Sequence, residues 1–374
     1  MSQTAVALIN SSAIRHNFKL LKDRAAGCKV MPVLKANAYG HGMVQVAKLL
    51  PEADALAVAR VGEGAKLRAA GIEQRVVVLG GCIDQVELVQ ALEHRLDLVV
   101  HHESQVELLE EYAGGRTVNV WVKTDTGMGR LGFSPERLPE MMQRLEGCNA
   151  VAEIVCVMTH LACADEPENP MTREQLISFN TALVGVDMLG LRKYSGGVSV
   201  ANSAGLLQWP EATTRSEVMQ YAGDNWVRPG LALYGVSPVE GKGSSELGLV
   251  PAMTFRSRLI AVKDLSAGAS VGYGADWVAD KDSVIGIVAV GYGDGYPRSA
   301  ANAAVVINGV RVPLIGRVSM DLIAVDLSSV DAAVGDTVEL WGEQLDVQEV
   351  ATAAGTISYE LLTQLSRRPA RELV

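Results

Sequence analysis

Residues 96–123 read LDLVVHHESQVELLEEYAGGRTVNVWVK, a strand–helix–strand pattern. Two apolar runs, 96–101 and 117–123, flank the segment 103–112, in which apolar residues recur at helical spacing. The two runs are nearly continuous rather than alternating, which is typical of parallel strands that are covered on both faces. This stretch therefore predicts one unit of a parallel sheet with its connecting helix.

The same unit recurs on both sides of this stretch. Helical patterns separate apolar runs at 30–34, 54–59, 75–80, 96–101, 117–123, 152–160, 197–203 and 230–236. Eight strands alternating with helices predict an α/β fold that begins with a (β/α)8 TIM-type barrel over residues 11–240. A doubly wound open sheet is the alternative, but no G-x-G-x-x-G turn follows the first run.

The pattern changes near residue 240. Residues 237–251, SPVEGKGSSELGLVP, have the composition of a linker. Residues 241–374 then predict a mostly-β C-terminal domain, with an Asn-Gly hairpin in VVINGVRV (305–312) and one short helical stretch in VQEVATAAG (347–355). Residues 1–10 alternate like a strand, and we expect that strand to pair with the C-terminal domain.

Composition excludes several classes of function. Thirty-three basic and 43 acidic residues give a net charge of −10, which disfavours binding to nucleic acid or to an anionic membrane surface. The five cysteines form no C-x-x-C pair and no H-E-x-x-H is present, so we expect no metal site. No apolar run reaches the roughly 18–20 residues of a membrane span, and no basic leader is present, so a cytoplasmic protein is expected.

Polar residues follow the expected strands at the end where barrel enzymes carry their active sites. These residues are Lys35, Tyr39, Lys123, Asp125, Arg130, His160, Asp165, Asn202 and Ser203, and the segment RPG, with Arg228 and Gly230, precedes the expected eighth strand. Two lysines and two arginines beside small-residue turns predict an anion site, in which Ser203, Tyr39 and the Gly230 amide could hold a phosphate. Apolar flanks and nearby arginines would lower the pKa of Lys35 and make it nucleophilic. A solvated ion-pair partner is the plainer interpretation of a single lysine.

Nine segments together resemble the alanine racemase family over essentially the whole chain. They are VLKANAYGHG (33–42), KTDTGMGRLGF (123–133), MTHLACADE (158–166), ANSAG (201–205), RPGLALYG (228–235), VGYGADW (271–277), GYGDGYPR (291–298), GRVSMD (316–321) and TISYE (356–360). The resemblance implies a barrel followed by a β-rich domain. It also implies an isomerase that uses pyridoxal phosphate to interconvert L-alanine and D-alanine, either supplying D-alanine for peptidoglycan or catabolising it.

The resemblance implies specific roles around the cofactor. Lys35 would carry pyridoxal phosphate, and the groups around the phosphate would be Tyr39, Ser203, the Gly230 backbone and Tyr359, with Asn202 also in the cofactor site. Arg228 would bond to the pyridine nitrogen and His160 would orient Arg228. Because an arginine does not give up its proton, that nitrogen should stay unprotonated, which weakens the ring as an electron sink. Arg130 would contact the phenolic oxygen and the substrate carboxylate.

Racemisation needs a base on each face of the substrate α-carbon. The resemblance implies Lys35 as the base for the D-enantiomer and Tyr273 of the partner subunit as the base for the L-enantiomer, with the Met320 amide of the partner subunit on the carboxylate. The active unit would be a head-to-tail homodimer. Lys123 matches a position that is carbamylated in some members. The entrance corridor would include Asp165, Tyr292, Arg298, Arg317 and Ile357.

Three other functions are compatible with a pyridoxal-phosphate barrel. A racemase of broader specificity, for serine or basic amino acids, differs in pocket size, which the sequence leaves open. A non-enzymatic carrier or homeostasis protein on the same barrel would lack the second β domain. A fold-related decarboxylase would place a carboxylate at the pyridine nitrogen and a cysteine late in the chain, whereas this chain has Arg228 and no cysteine after Cys163.

Overall fold

The computed structural model describes residues 4–215 and 219–374. Its first part contains eight parallel strand segments. These are β2 (Lys29–Val30), β3 (Leu56–Val58), β4 (Val76–Val78), β5 (Asp97–Val100), β6 (Val118–Lys123), β7 (Val151–Met158), β8 (Tyr194–Ser199) and β9 (Trp226–Val227). Strands β3 to β8 pair in sequence order, and β2 pairs with β9. Parallel bridges at Val33–Ala57 and Val198–Asn225 join that pair to both edges of the larger sheet, which closes the barrel.

Helical segments alternate with the barrel strands. They are α1 (Ser11–Arg24), α2 (Lys35–Tyr39), α3 (Met43–Leu49), α4 (Val61–Ala69), α5 (Gln85–Glu93), α6 (Glu103–Glu110), α7 (Leu138–Gly147), α8 (Met171–Asp187) and α9 (Ser203–Gln208). Strand β4, a continuous run of three valines, is buried throughout, as expected for a parallel strand covered on both faces. The predicted fold class is confirmed.

The eighth barrel strand was predicted at the wrong place. The strand is Trp226–Val227, whereas the apolar run expected as a strand at 230–236 contains a 3-10 helix, Leu231–Tyr234. That run is apolar because it is buried against the barrel: the Tyr234 hydroxyl donates to the carbonyl of Val33 at 2.8 Å. Periodicity alone does not separate a short buried helix from a buried strand.

The seventh strand also ends earlier than expected. It spans Tyr194–Ser199, and Asn202 and Ser203 lie outside it. The Asn202 side chain accepts a hydrogen bond from the Gly205 amide at 2.9 Å and so caps α9. Asparagine at this position favours a helix start rather than a continued strand.

The second part is an eight-stranded sheet in the order β13-β16-β15-β14-β17-β10-β1-β18. Its strands are β1 (Val6–Ile9), β10 (Met253–Leu265), β13 (Ser283–Val288), β14 (Ala304–Ile307), β15 (Val310–Ile315), β16 (Ile323–Asp326), β17 (Thr337–Trp341) and β18 (Ala370–Leu373), with a small ribbon of β11 (Ser270–Val271) and β12 (Trp277–Val278). The N-terminal strand β1 lies antiparallel to β10 and parallel to β18. The predicted hairpin is confirmed: β14 and β15 pair across Asn308 and Gly309, both with positive φ.

Two helices, not one, follow β17. They are α10 (Val347–Ala354) and α11 (Ser358–Gln364), and the sequence pattern predicted only the first. Leu361 and Leu362 of α11 are buried in a hydrophobic cluster that also contains barrel residues such as Leu34 and sheet residues such as Trp341. Helix α11 therefore packs the second part of the chain against the barrel.

Candidate functional site

The segment after Val33 is a left-handed turn, α2, in which four non-glycine residues in succession have positive φ. Ala36, Asn37, Ala38 and Tyr39 have φ between 50° and 55°, and Gly40 continues at 83°. Left-handed helical backbone costs about 1–2 kcal/mol per L-residue, so favourable contacts elsewhere must offset this cost. We call residues 35–40 the Lys35 turn. It places Lys35 and Tyr39 at the same end of the barrel.

Three of the residues predicted to hold a phosphate lie together. The Ser203 hydroxyl accepts hydrogen bonds from the Gly230 amide at 2.8 Å and from the Ala232 amide at 3.3 Å. A Cβ at Gly230 would lie only 2.7 Å from the Tyr39 hydroxyl, so that hydroxyl approaches the Gly230 backbone closely. Burial raises the pKa of Tyr39, which keeps its hydroxyl protonated and able to donate.

Tyr359 adds a second phenol to this group. It lies in the first turn of α11, and its ring centroid is 5.9 Å from that of Tyr39. Burial, together with the nearby Asp165 carboxylate, raises the pKa of Tyr359 to about 12. Asp165 and Tyr359 therefore lie near each other, and Tyr359 exposes 40% of its surface.

Arg228 is buried at the end of β9 and is fixed by backbone carbonyls. Its Nη2 donates to Thr159 at 2.6 Å and to Val200 at 3.2 Å, and its Nη1 donates to the Ser199 hydroxyl. Burial lowers the pKa of Arg228 to about 10, which leaves the guanidinium protonated at neutral pH. Nη2 of Arg228 also lies 3.5 Å from Nδ1 of His160.

His160 is held neutral by its surroundings. Burial lowers its pKa well below the usual value, and the charges of Arg228, Lys123, Arg130 and Lys35 act in the same direction. Because a guanidinium can only donate, Nδ1 of His160 accepts from Arg228. His160 thus helps to orient Arg228 without adding another positive charge.

The two lysines lie among these positive groups. Burial and the charge of Arg130 lower the pKa of Lys35, while the Glu63 carboxylate opposes this shift. Burial lowers the pKa of Lys123 to about 8, and Arg228 and Arg130 add to the effect. The mouth of the barrel is therefore a cationic region with two amines that lose their protons more readily than ordinary lysines.

Arg130 is placed by the loop that follows β6. The Asp125 carboxylate accepts hydrogen bonds from the amides of Gly127, Gly129 and Arg130 at 3.0–3.1 Å. Burial raises the pKa of Asp125, but these amides outweigh it and hold the pKa below its usual range. The loop around Arg130 is thus built on one ionised side chain.

Two family models match consecutive parts of the chain. The model of the alanine racemase N-terminal domain matches residues 9–238, and that of the C-terminal domain matches residues 252–373.

This chain belongs to the alanine racemase family.

Individual members of the family support the assignment. The alanine racemase of Shewanella sp. strain MR-7 is 48% identical over 367 residues, which are 97% of this chain and 97% of that protein. The crystal structure of the biosynthetic alanine racemase from Pseudomonas aeruginosa has a TM-score of 0.90 and 42% identity, with both chains covered completely. The alanine racemase from Bartonella henselae, solved with covalently bound pyridoxal phosphate, has a TM-score of 0.86 and 27% identity over 100% of both chains.

Tyr273 and Met320, the residues expected from a partner subunit, are exposed on the second part of the chain. Tyr273 begins a 3-10 helix, Tyr273–Ala275, and exposes 71% of its surface, and Met320 exposes 52%. Arg317 forms an ion pair with Asp276 and so braces the Tyr273 loop. Within one alanine racemase subunit, Tyr273 is thus not enclosed in a site.

The remaining residues predicted for the entrance are exposed. Ile357 precedes α11 and exposes 61% of its surface, close in sequence to Tyr359. The Tyr292 amide donates to the Ser319 carbonyl at 3.1 Å, which places Tyr292 beside the segment of Met320. Asp165, Arg298 and Arg317 are exposed as well.

Sequence patterns missed two charged residues that contact the Lys35 turn. Glu63 accepts a hydrogen bond from the Ala36 amide, and Arg371 donates to the Gly40 carbonyl. A glutamate in the first turn of a helix is a recognisable capping signal, but its second contact is not. The Arg371 contact joins residues 331 apart in the chain and has no local signal.

Residues 4–215 and 219–374 are the part of the chain that the structure describes. These residues contain no group of three or more His, Cys, Asp or Glu side chains that could hold a metal ion. They also contain no helix that is long and apolar enough to cross a membrane.

Proposed function

We propose that this protein is a pyridoxal-phosphate-dependent alanine racemase with Lys35 as its cofactor lysine. The observation that carries the proposal is the cationic mouth of the barrel, where the charges of Lys35, Lys123, Arg130 and Arg228 all lie close enough to lower the pKa of His160. Within the described residues the carboxylates of Glu63 and Asp125 face this region, so basic groups outnumber acidic ones. Such a site favours an anionic ligand.

The residues present fit pyridoxal phosphate. Tyr39, Ser203, the Gly230 backbone and Tyr359 would hold the phosphate, with Asn202 at the adjoining helix start. Arg228 would donate to the pyridine nitrogen and, with its pKa of about 10, would not protonate it fully at neutral pH. His160 would keep Arg228 in place. When bound, pyridoxal phosphate supplies an electron sink that stabilises the carbanion left by removal of the α-proton.

Two bases would move the α-proton. The lowered pKa of Lys35 supports its role as the base for D-alanine, because a larger fraction of its amine is unprotonated near neutral pH. Tyr273 of the partner subunit would serve L-alanine from the opposite face. Arg130, with the Met320 amide of the partner subunit, would hold the substrate carboxylate. The exposure of Tyr273 and Met320 supports a head-to-tail homodimer in which a second copy covers them.

We also propose that Lys123 is carbamylated. The amine of Lys123 would add to CO2 through a new N–C bond and release its proton, and the resulting anion would lie beside Arg130 and Arg228. The pKa of about 8 supports this step because the reacting form is the neutral amine. A carbamate there would hold Arg130 toward the substrate.

Substrate choice distinguishes the alternatives. Asp165, Tyr292, Arg298, Arg317 and Ile357 would narrow the corridor so that a small amino acid is preferred over serine or a basic one. A racemisation panel of alanine, serine, lysine and arginine with added pyridoxal phosphate tests this, and faster turnover of a larger substrate would favour the broad-specificity racemase. The non-enzymatic carrier is disfavoured because the chain also matches the family's C-terminal domain.

The decisive experiment separates cofactor attachment from the two proton transfers. Borohydride reduction of the holoprotein followed by peptide mapping should place the cofactor on Lys35, and Lys35→Ala should abolish both the adduct and racemisation. In deuterated water, Tyr273→Phe should keep α-proton exchange of D-alanine, lose that of L-alanine, and slow racemisation by about 10²–10⁴-fold.

Tyr112→Phe is the matched control, since Tyr112 follows α6 and plays no part in the proposed site. It should leave both exchange rates unchanged. Equal exchange of both enantiomers in Tyr273→Phe would remove Tyr273 from the role of base.

A further inference from the structure

The Lys35 turn is held at its start by a carboxylate from a neighbouring barrel helix. Oε1 of Glu63, in the first turn of α4, accepts from the Ala36 amide at 2.9 Å. Its Oε2 accepts from the Ala59 amide at 2.8 Å and from the Arg60 amide at 3.2 Å. One side chain thus ties the residue after Lys35 to the chain segment that follows β3.

The end of the same turn is held from the far end of the chain. Nε of Arg371, in β18, donates to the Gly40 carbonyl at 2.6 Å. Its two other nitrogens donate to the carbonyls of Leu365 and Ser366 at 2.9 and 3.1 Å. The guanidinium therefore bridges the turn and the segment that follows α11.

The middle of the turn is braced by a neutral histidine. His41 is buried, and its Nδ1 donates to the carbonyls of Ala38 and Tyr39 at 3.0 and 2.9 Å. Burial lowers its pKa to about 4, so it remains uncharged. Its ring stacks on Tyr234 at 4.5 Å, and Tyr234 stacks on Tyr39 at 4.9 Å.

We propose that Glu63 and Arg371 are positioning residues that clamp the two ends of the Lys35 turn and so hold Lys35 and Tyr39 ready for pyridoxal phosphate. This proposal rests on the proposed function. The left-handed backbone needs support from outside the turn, and these two side chains supply charge-assisted hydrogen bonds at the Ala36 amide, near its start, and at the Gly40 carbonyl, its last. Both side chains bond to backbone groups of the turn, so both act through Lys35 and Tyr39.

Graded variants test the clamp through cofactor affinity. Arg371→Met removes all three hydrogen bonds, whereas Arg371→Lys keeps a positive charge but loses the planar set of N–H donors that a guanidinium presents. Glu63→Leu removes all acceptors, whereas Glu63→Gln keeps one acceptor oxygen. The dissociation constant for pyridoxal phosphate, measured by absorbance titration of folded apoprotein, should rise about tenfold or more in the Met and Leu variants and less in the Lys and Gln variants.

Two controls resemble the clamp residues in burial, and their side chains also bond to backbone groups. Arg68, in the last turn of α4, donates to the carbonyls of Ile72, Gln74, His94 and Arg95 at 2.6–3.0 Å. Glu87 occupies the same helix position in α5 as Glu63 in α4 and accepts from the Ile83 amide at 3.1 Å. Arg68→Met and Glu87→Leu should lower the melting temperature without changing the affinity of the folded protein for pyridoxal phosphate.

The outcomes are separable. Wild-type affinity in folded Arg371→Met and Glu63→Leu, or an equal loss in the two controls, would overturn the clamp. If Arg371→Met does not fold, Arg371→Lys decides, and an unchanged dissociation constant in that variant has the same meaning. Borohydride labelling of the wild-type protein tests the proposed function by itself, because failure to label Lys35 overturns that function. If Lys35 is labelled but the clamp variants keep the wild-type dissociation constant, only the clamp is overturned.

Discussion

Lys123 shows how one residue at the end of a strand acquires unusual chemistry. It is the last residue of β6 and is buried, and the charges that oppose its protonation come from Arg228, Arg130 and Lys35. The charge of the Asp125 carboxylate favours the protonated form of Lys123, but this carboxylate already accepts hydrogen bonds from three backbone amides. A negative charge built on Lys123 itself would relieve the repulsion among its neighbours.

Carbamylation of Lys123 should therefore depend on pH. An amine with a pKa of about 8 is mostly protonated at pH 7 and mostly neutral at pH 9. At a fixed concentration of dissolved CO2, carbamate occupancy should rise as the pH passes upward through about 8. Carbon-13 NMR of the protein in labelled CO2 measures this occupancy without the acid that would release the group.

Lys29 provides the control for this measurement, because it is partly exposed and paired with Asp224 at 2.5 Å. Lys123→Met should abolish the carbamate signal and slow racemisation by about 10–100-fold through loss of support for Arg130. Lys29→Met should retain the signal. A signal that persists in Lys123→Met would assign the carbamate elsewhere.

At the scale of elements, the contact between the Lys35 turn and α11 depends on a glycine. Gly40 has φ of 83°, and a Cβ placed there would overlap the carbonyl oxygen of Leu362. Gly40→Ala should lower the free energy of unfolding by more than the roughly 1–2 kcal/mol expected for left-handed backbone alone. Urea denaturation of the apoprotein measures this difference.

Gly355→Ala is the control that measures the cost of left-handed backbone without a steric overlap. Gly355 ends α10 with φ of 70°, but a Cβ there would meet nothing within 4 Å. The free energy of unfolding of this variant should therefore fall only by the cost of left-handed backbone. If both substitutions destabilise the protein equally, the close packing of α11 on the Lys35 turn does not contribute.

The elements also show where sequence patterns succeed and fail. Strand number and the position of Lys35 after the first strand could be predicted because continuous apolar runs mark buried parallel strands. The run at 230–236 was misassigned because burial, not strand geometry, makes it apolar. The left-handed conformation of Ala36 to Tyr39 has no signal in residue type, since alanine and tyrosine rarely adopt it. Its supports, Glu63 and Arg371, are set by tertiary contacts.

At the scale of the whole molecule, the proposed site draws on distant parts of the chain. Lys35 and Tyr39 come from the first barrel turn, Ser203 follows β8, Gly230 follows β9, and Tyr359 comes from α11. The second base, Tyr273, is exposed on the other part of the chain. The domain limits 1–10, 11–240 and 241–374 stay predictions. Wherever those limits fall, the two proposed bases lie in different parts of the chain.

Mixing two inactive variants tests whether each site uses two subunits. If Tyr273 acts in the site of the partner subunit, a mixed dimer of Lys35→Ala and Tyr273→Phe chains has one site with both bases and one with neither. Random reassortment makes half of the dimers mixed, so about a quarter of wild-type racemisation should return after the two variants are unfolded and refolded together. Each variant refolded alone is the control. If Tyr273 instead served its own subunit, every site in the mixture would lack one base, and mixing would restore no activity.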